Sequence, residues 1–196
     1  MKLVVGISGG SGVIYGVRLL EVLKQLKVET HLIMTQAAKE TLVLETDYAV
    51  TKVESLASHS YRIGDISASL ASGSYQTDGM VIIPCSMKSL AGIAVDYEDN
   101  LLLRAAAVTL KEGRKLVLVP REAPLTTIQI ENLLRVSRAG AIVLPAMPGF
   151  YNRPKSLEDL VDHVVGKALD VLGVEHDLYK RWSGPPVQGG SGRRTG

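Results

Sequence analysis

The heptapeptide Gly6-Ile7-Ser8-Gly9-Gly10-Ser11-Gly12 has the make-up of a turn that receives a phosphate. Glycines let the backbone come close to a ligand, and free N–H groups at the start of a helix point toward it. Ser11 adds a hydroxyl donor, and a plain helix-capping role explains it equally well. A dinucleotide fingerprint needs a third glycine in register and an acidic residue at the end of the second strand. Here the third glycine position is Tyr15, and the second apolar run closes with Ile33-Met34-Thr35. A mononucleotide such as FMN fits these residues better than NAD. Thr35 then either donates to flavin or ribityl oxygens or caps the helix that follows.

Further along, Pro84-Cys85-Ser86-Met87-Lys88-Ser89 follows an apolar run and reads as a loop that can cradle a flavin. Cys85 reads as a small buried thiol at a strand end rather than a nucleophile. Arg104 and Lys111 are seven residues apart in a helical segment. They therefore project from one face about 10 Å apart along the axis, able to bracket an anion or simply to solvate the helix. Arg121 directly follows a strand and Pro120, which aims a guanidinium at the same edge as the glycine turn. Glu45 ends a helix that begins right after the second strand, where a carboxylate can move protons or merely face solvent. Pro145 to Tyr151 forms a proline-stiffened loop presenting Tyr151, and a later helix carries Lys167; packing and surface charge are the plain alternatives for these two.

The elements that must position these groups are legible in the apolar pattern. Short apolar runs separated by segments of helical period describe a parallel sheet covered on both faces. The strands fall near Leu3–Ile7, Thr30–Met34, Gly79–Ile83, Leu116–Val119 and Ala141–Leu144. The helices fall around Ser11–Leu26, Gln36–Glu45, Leu101–Lys111, Thr126–Ser137 and Ser156–Leu172. The expected fold is α/β, a Rossmann-like or flavodoxin-like three-layer sandwich with a parallel sheet. The polar span from Tyr48 to Tyr75 reads as an excursion with one or two helices, a lid or a subunit contact. Residues 1–182 form one domain in this reading, and residues 183–196, rich in Gly, Ser and Pro, a disordered tail.

The totals bound the function. At 196 residues and 46% hydrophobic composition the chain has material for one sizeable core. A net charge of +2 gives no global field that implies nucleic acid, so an anion must be held locally. One cysteine and four scattered histidines point to a reducing cytoplasmic compartment and no metal site. No signal peptide and no membrane span are expected.

Taken together, these segments resemble the UbiX-type flavin prenyltransferases, within the homo-oligomeric flavin-containing decarboxylase-like flavoproteins. The resemblance covers roughly residues 1–182. It rests on the glycine turn at 6–12, Leu-Glu-Thr-Asp at 44–47, Pro-Cys-Ser at 84–86 and Arg-Ala-Ala at 104–106. The remaining motifs are Leu-Val-Leu-Val-Pro-Arg-Glu-Ala-Pro at 116–124, Pro-Gly-Phe-Tyr at 148–151 and Arg-Trp at 181–182. It implies FMN contacts from Gly9, Gly10, Ser11, Thr35, Ser86, Met87, Lys88, Ser89 and Arg121. It implies that Lys111, Tyr151 and Lys167 hold the prenyl phosphate, with Arg104 and Arg121 adding charge. Glu45 is then the acid/base, and Ser11, Lys111 and Tyr151 complete the catalytic group. The implied reaction moves a dimethylallyl group from dimethylallyl phosphate to N5 and C6 of reduced FMN. A UbiD-type decarboxylase receives the product, and the sites form between subunits, commonly of a dodecamer. Gly10 stands where many relatives have Ala, and Lys167 where some have Arg. Met87 and Lys88 also vary from the small residues of some relatives. Two other activities share this fold: flavin-dependent decarboxylation of a peptide's C-terminal cysteine, and electron carriage by a flavodoxin-like protein. The first uses a catalytic His and a Pro-x-Met-Asn loop, where this chain has Pro145-Ala146-Met147-Pro148.

Overall fold

A computed structural model of the chain describes residues 1–182 and 184. The expected tail therefore lies, Gly184 apart, outside the described residues. Six strands pair in parallel: β1 (Lys2–Ile7), β2 (Glu29–Met34), β3 (His59–Tyr61), β4 (Gly79–Cys85), β5 (Leu116–Pro120) and β6 (Ile142–Val143), in the order β3-β2-β1-β4-β5-β6. Every residue of β4 and β5 is buried, as continuous apolar runs require when both faces are covered. Helices α1 (Val13–Gln25), α2 (Gln36–Glu45), α3 (Val50–Glu54) and α7 (Leu157–Leu172) pack on one face around Leu20, Leu23, Leu42 and Leu169. Helices α4 (Met87–Ala94), α5 (Leu101–Lys111) and α6 (Thr127–Arg138) cover the other, around Leu90, Leu102 and Val136. This is the expected three-layer α/β sandwich. Among the described residues no helix is long and apolar enough to cross a membrane.

The five apolar strands and helices α2, α5 and α7 fall where the sequence pattern puts them, within a residue or two. Two readings need correction, and the polar excursion, with its one or two expected helices, also holds a strand. The first helix starts at Val13 with Gly12 as its N-cap, so Ser11 is not the capping residue. Ser86 to Ser89 is not an open loop: Ser86 caps α4, its hydroxyl accepting from the Ser89 N–H at 3.3 Å, and Met87 to Ser89 form the first helical turn. The polar excursion contributes α3, a 3-10 turn at Ser69–Ala71 and the edge strand β3, whose His-Ser-Tyr carries no apolar run to announce it.

That edge strand also brings together histidines that are distant in sequence. His31 and His59 face each other in the β2–β3 register, with ring centroids 4.7 Å apart. His31 Nδ1 pairs with the Tyr61 hydroxyl at 2.9 Å and Nε2 with Glu29 at 3.0 Å. Glu29, His31 and His59 bring potential ligand atoms within 4.8 Å of one another, contrary to the expectation of scattered histidines. The Lys2 ammonium lies 3.6 Å from the same Glu29 oxygen, and burial holds the His31 imidazole below its ordinary pKa. The cluster thus ties the start of β1 to the sheet edge through hydrogen bonds already formed.

Strand order reverses between β1 and β4, and in open α/β sheets that reversal opens a crevice at the carboxyl edge. Ser8 joins the two strand ends there. Its buried hydroxyl donates to the Pro84 carbonyl at 3.0 Å and accepts from the Ser86 N–H at 2.7 Å, while its own N–H also reaches Pro84 O at 3.1 Å. Ser8→Ala leaves the part-buried Ser86 N–H without its acceptor. It should lower unfolding stability by about 1–3 kcal/mol in urea titrations, whereas Ser11→Ala, on the exposed turn, should stay within about 0.5 kcal/mol.

Candidate functional site

At this crevice lies a cavity of about 600 Å3, open to solvent. Gly9, Thr35, Ser86 and Ser89 line its polar side, and Ile63 and Leu103 its apolar side; Lys88 also lines it. That combination suits a flat aromatic ring system with polar edges. Thr35 caps α2, accepting from the Ala38 N–H at 3.1 Å, and its O–H remains able to donate into the cavity. Met87 instead packs against the core beneath α4, so its part is to seat the turn carrying Ser86 and Lys88. Cys85 is wholly buried, which pushes its thiol up to about 12 and suits packing rather than nucleophilic attack.

The glycine turn is tightly set. A Cβ on Gly9 would lie 2.5 Å from Ala37 Cβ at the start of α2, whereas one on Gly10 would meet nothing nearer than 3.6 Å. The helix–sheet approach expected of a third fingerprint glycine comes one position later than Tyr15, from Gly16, whose Cβ would sit 2.5 Å from the Ile83 carbonyl. Not all of the turn's donors are free. The Gly10 N–H bonds Ser8 O at 2.8 Å, and the Gly12 and Val13 N–H groups donate to Glu45 Oε2 at 2.8 and 3.3 Å. The N–H groups of Gly9 and Ser11 have no protein acceptor among the described residues. Arg121 Nε donates to the Ser11 carbonyl at 3.1 Å, placing a guanidinium on the turn itself. FMN fits this donor set: backbone N–H, hydroxyls and one arginine at the phosphate end, with an apolar wall for the ring.

Glu45 therefore does more than face solvent. Its carboxylate occupies the positive end of α1, where Gly12, with φ of 95°, offers no side chain to cap the helix. One oxygen takes both N–H bonds and Oε1 takes none among the described residues.

The other cations lie elsewhere. Arg104 pairs with Glu98 and donates through Nε to Ala71 O at 2.9 Å. Lys111 pairs with Glu112 at 2.7 Å at the far end of α5, one helix length from the cavity and close to Gly73. Tyr151 and Lys167 belong to the opposite face of the sheet. Tyr151 follows β6 and bonds His163 on α7 at 3.1 Å; Lys167 is one turn further along α7, 3.8 Å from Asp170. Within one protomer, then, Lys111 does not meet Tyr151 or Lys167. The sequence reading missed Ser8, Ile63 and His163. A lone serine amid glycines and a histidine in an amphipathic helix give no distinguishing pattern.

The clearance at the turn yields a sharp contrast for titration with FMN followed by flavin fluorescence. Gly9→Ala must displace α2 and should weaken binding by tenfold or more, about 1.4 kcal/mol. Gly10→Ala should bind within about twofold of the parent.

Comparison with known proteins agrees with this architecture. The family described as Flavoprotein matches residues 1–169. A probable UbiX-like flavin prenyltransferase of Escherichia coli is 53% identical over 187 residues, 95% of each chain. The crystal structure of a dodecameric FMN-dependent UbiX-like decarboxylase from Escherichia coli O157:H7 superposes with a TM-score of 0.92 at 53% identity, covering 94% of this chain and 100% of that one. The structure of AnUbiX (PadA1) in complex with FMN and dimethylallyl pyrophosphate also superposes with a TM-score of 0.92, at 44% identity over 93% of this chain and 97% of that one. The glycine turn, the hydroxyl-lined crevice and these likenesses together place the chain in the Flavoprotein family, among the UbiX-like flavin prenyltransferases.

Proposed function

We propose that this chain transfers a dimethylallyl group from dimethylallyl phosphate to reduced FMN, releasing phosphate and supplying prenylated FMN to a UbiD-type decarboxylase. The observation that carries the reading is the crevice at the strand-order reversal, where a glycine turn, an arginine and a helix-capping carboxylate meet beside an apolar wall. The solved relative that holds both FMN and dimethylallyl pyrophosphate supports it.

Gly9, Ser11 and Arg121 donate to the FMN phosphate in this proposal and Gly10 lets the turn come close to it, while Thr35, Ser86, Lys88 and Ser89 meet the ring and ribityl oxygens. Bound there, reduced FMN supplies the N5 and C6 positions that accept the two ends of the allyl group. Breaking the carbon–oxygen bond puts the electron pair on the departing phosphate. Lys111, Tyr151 and Lys167 stabilise that growing charge more than they stabilise the ground state. One protomer cannot gather all three, so the site is completed by neighbouring copies, a reading that the dodecameric state of the relative from Escherichia coli O157:H7 supports. Arg104 adds positive charge from behind its Glu98 partner. Exposed apolar side chains near these groups, Leu44 at 85%, Met147 at 74% and Phe150 at 68%, are surfaces such an assembly would cover. Glu45 Oε1, the oxygen outside the helix cap, takes the proton that leaves the ring carbon, with the released phosphate sharing that task. The single, buried, unbridged cysteine suits a cytoplasmic setting.

Anaerobic incubation with reduced FMN and dimethylallyl monophosphate, followed by flavin mass, tests the reading. The flavin should gain one prenyl unit; an unchanged mass would instead favour an electron carrier or a cysteine decarboxylase. Glu45→Gln keeps an oxygen for the Gly12 N–H but lacks basicity. It should slow formation of the closed product by roughly 10²-fold while FMN still binds; parent rates would remove Glu45 from the chemistry.

A further inference from the structure

The contact between α7 and the loop after β6 bears on how Tyr151 presents its proton. His163 is 6% exposed and spans two partners: the Gly149 N–H reaches its Nδ1 at 3.2 Å, and its Nε2 lies 3.1 Å from the Tyr151 hydroxyl. A backbone N–H can only donate, so Nδ1 must carry a lone pair. The ring proton of the neutral imidazole then sits on Nε2, and His163 donates to the phenol oxygen. A hydroxyl that accepts from the ring has its own proton left for another acceptor. Tyr151 is 48% exposed, so that acceptor lies on the open side of the phenol.

We infer that His163 is a positioning residue: the Gly149 N–H sets its tautomer, and its Nε2–H turns the Tyr151 proton outward toward the oxygen of an allylic phosphate. The inference rests on the reading of Tyr151 as a ligand of that phosphate. The opposite tautomer would draw the phenol proton inward and present a lone pair to an anion. The surroundings keep the ring neutral. Burial and the nearby Lys167 ammonium both depress the His163 pKa. Tyr179 stacks at a tilt with ring centroids 4.9 Å away, but its own O–H is committed to Asp170, so it does not compete for Nε2. Trp182, edge-on to Tyr151 at 5.9 Å, limits how far the phenol can swing. A histidine serving only to fill the helix interface would need neither bond.

A double-mutant cycle on the full-length protein, with reduced FMN and dimethylallyl monophosphate, separates the two roles. Tyr151→Phe alone should lower kcat by roughly ten- to hundredfold, the worth of a hydrogen bond to a charged group. His163→Asn retains an acceptor for the Gly149 N–H, but its amide N–H stops short of the Nε2 position, and it should cost nearly as much. Combined, the two should cost less than about twofold beyond Tyr151→Phe. His163→Gln, whose amide nitrogen stands near the position of Nε2, should recover most of the loss. The loss should appear in kcat more than in KM, because the phosphate charge grows in the transition state. FMN affinity should remain within about twofold throughout, which separates these effects from misfolding. Multiplicative losses, an equal defect in the Gln and Asn variants, or an undiminished Asn variant would each overturn the inference while leaving the proposed function standing. A parent protein that left the flavin mass unchanged would overturn both.

Discussion

The hydroxyl of Ser8 holds together the ends of two strands that diverge in chain order, and the rest of the site follows from that stitch. β1 and β4 are neighbours in the sheet but far apart in sequence, and their following segments leave in opposite directions. By binding Pro84 O and the Ser86 N–H at once, Ser8 sets the glycine turn and the first turn of α4 side by side. The cavity between them owes its polar lining to that proximity. The hydroxyls of Ser86 and Ser89 face it only because α4 begins where Ser8 anchors it.

Around this point the molecule trades conformational freedom for placement. Gly9 admits the Ala37 methyl and Gly16 the Ile83 carbonyl so closely that an added methyl group would displace them, and Glu45 supplies from α2 the cap that Gly12 cannot supply for itself. The same carboxylate that neutralises the helix end is thereby held next to the turn, with one oxygen uncommitted among the described residues. Helix capping and the proposed proton handling are thus not rival explanations for Glu45, since the first fixes the geometry that the second would use.

Much of the fold was readable because burial on both faces writes apolar runs into β1, β4 and β5, and a shorter one, Leu32 to Met34, into the end of β2. β3 was not, because an edge strand of three polar or half-exposed residues is indistinguishable from a loop until its partner is known. The start of α4 was hidden for a related reason: Ser-Met-Lys-Ser has loop-like composition, and only the Ser86 cap reveals the helix. At the site, the glycine turn, Thr35 and Arg121 declared themselves through position after a strand. His163 did not, since its meaning depends on Gly149 and Tyr151, which approach it only through the packing of the β6–α7 loop onto α7.

Lys111 and Tyr151 stand on opposite faces of the sheet, at opposite ends of the molecule's layers. A centre that uses both must borrow them from different chains. On the proposed reading, inheritance of function is a property of the population of subunits: two chains with separate lesions, one at each position, would rescue each other when mixed, because some centres would draw an intact lysine from one and an intact phenol from the other.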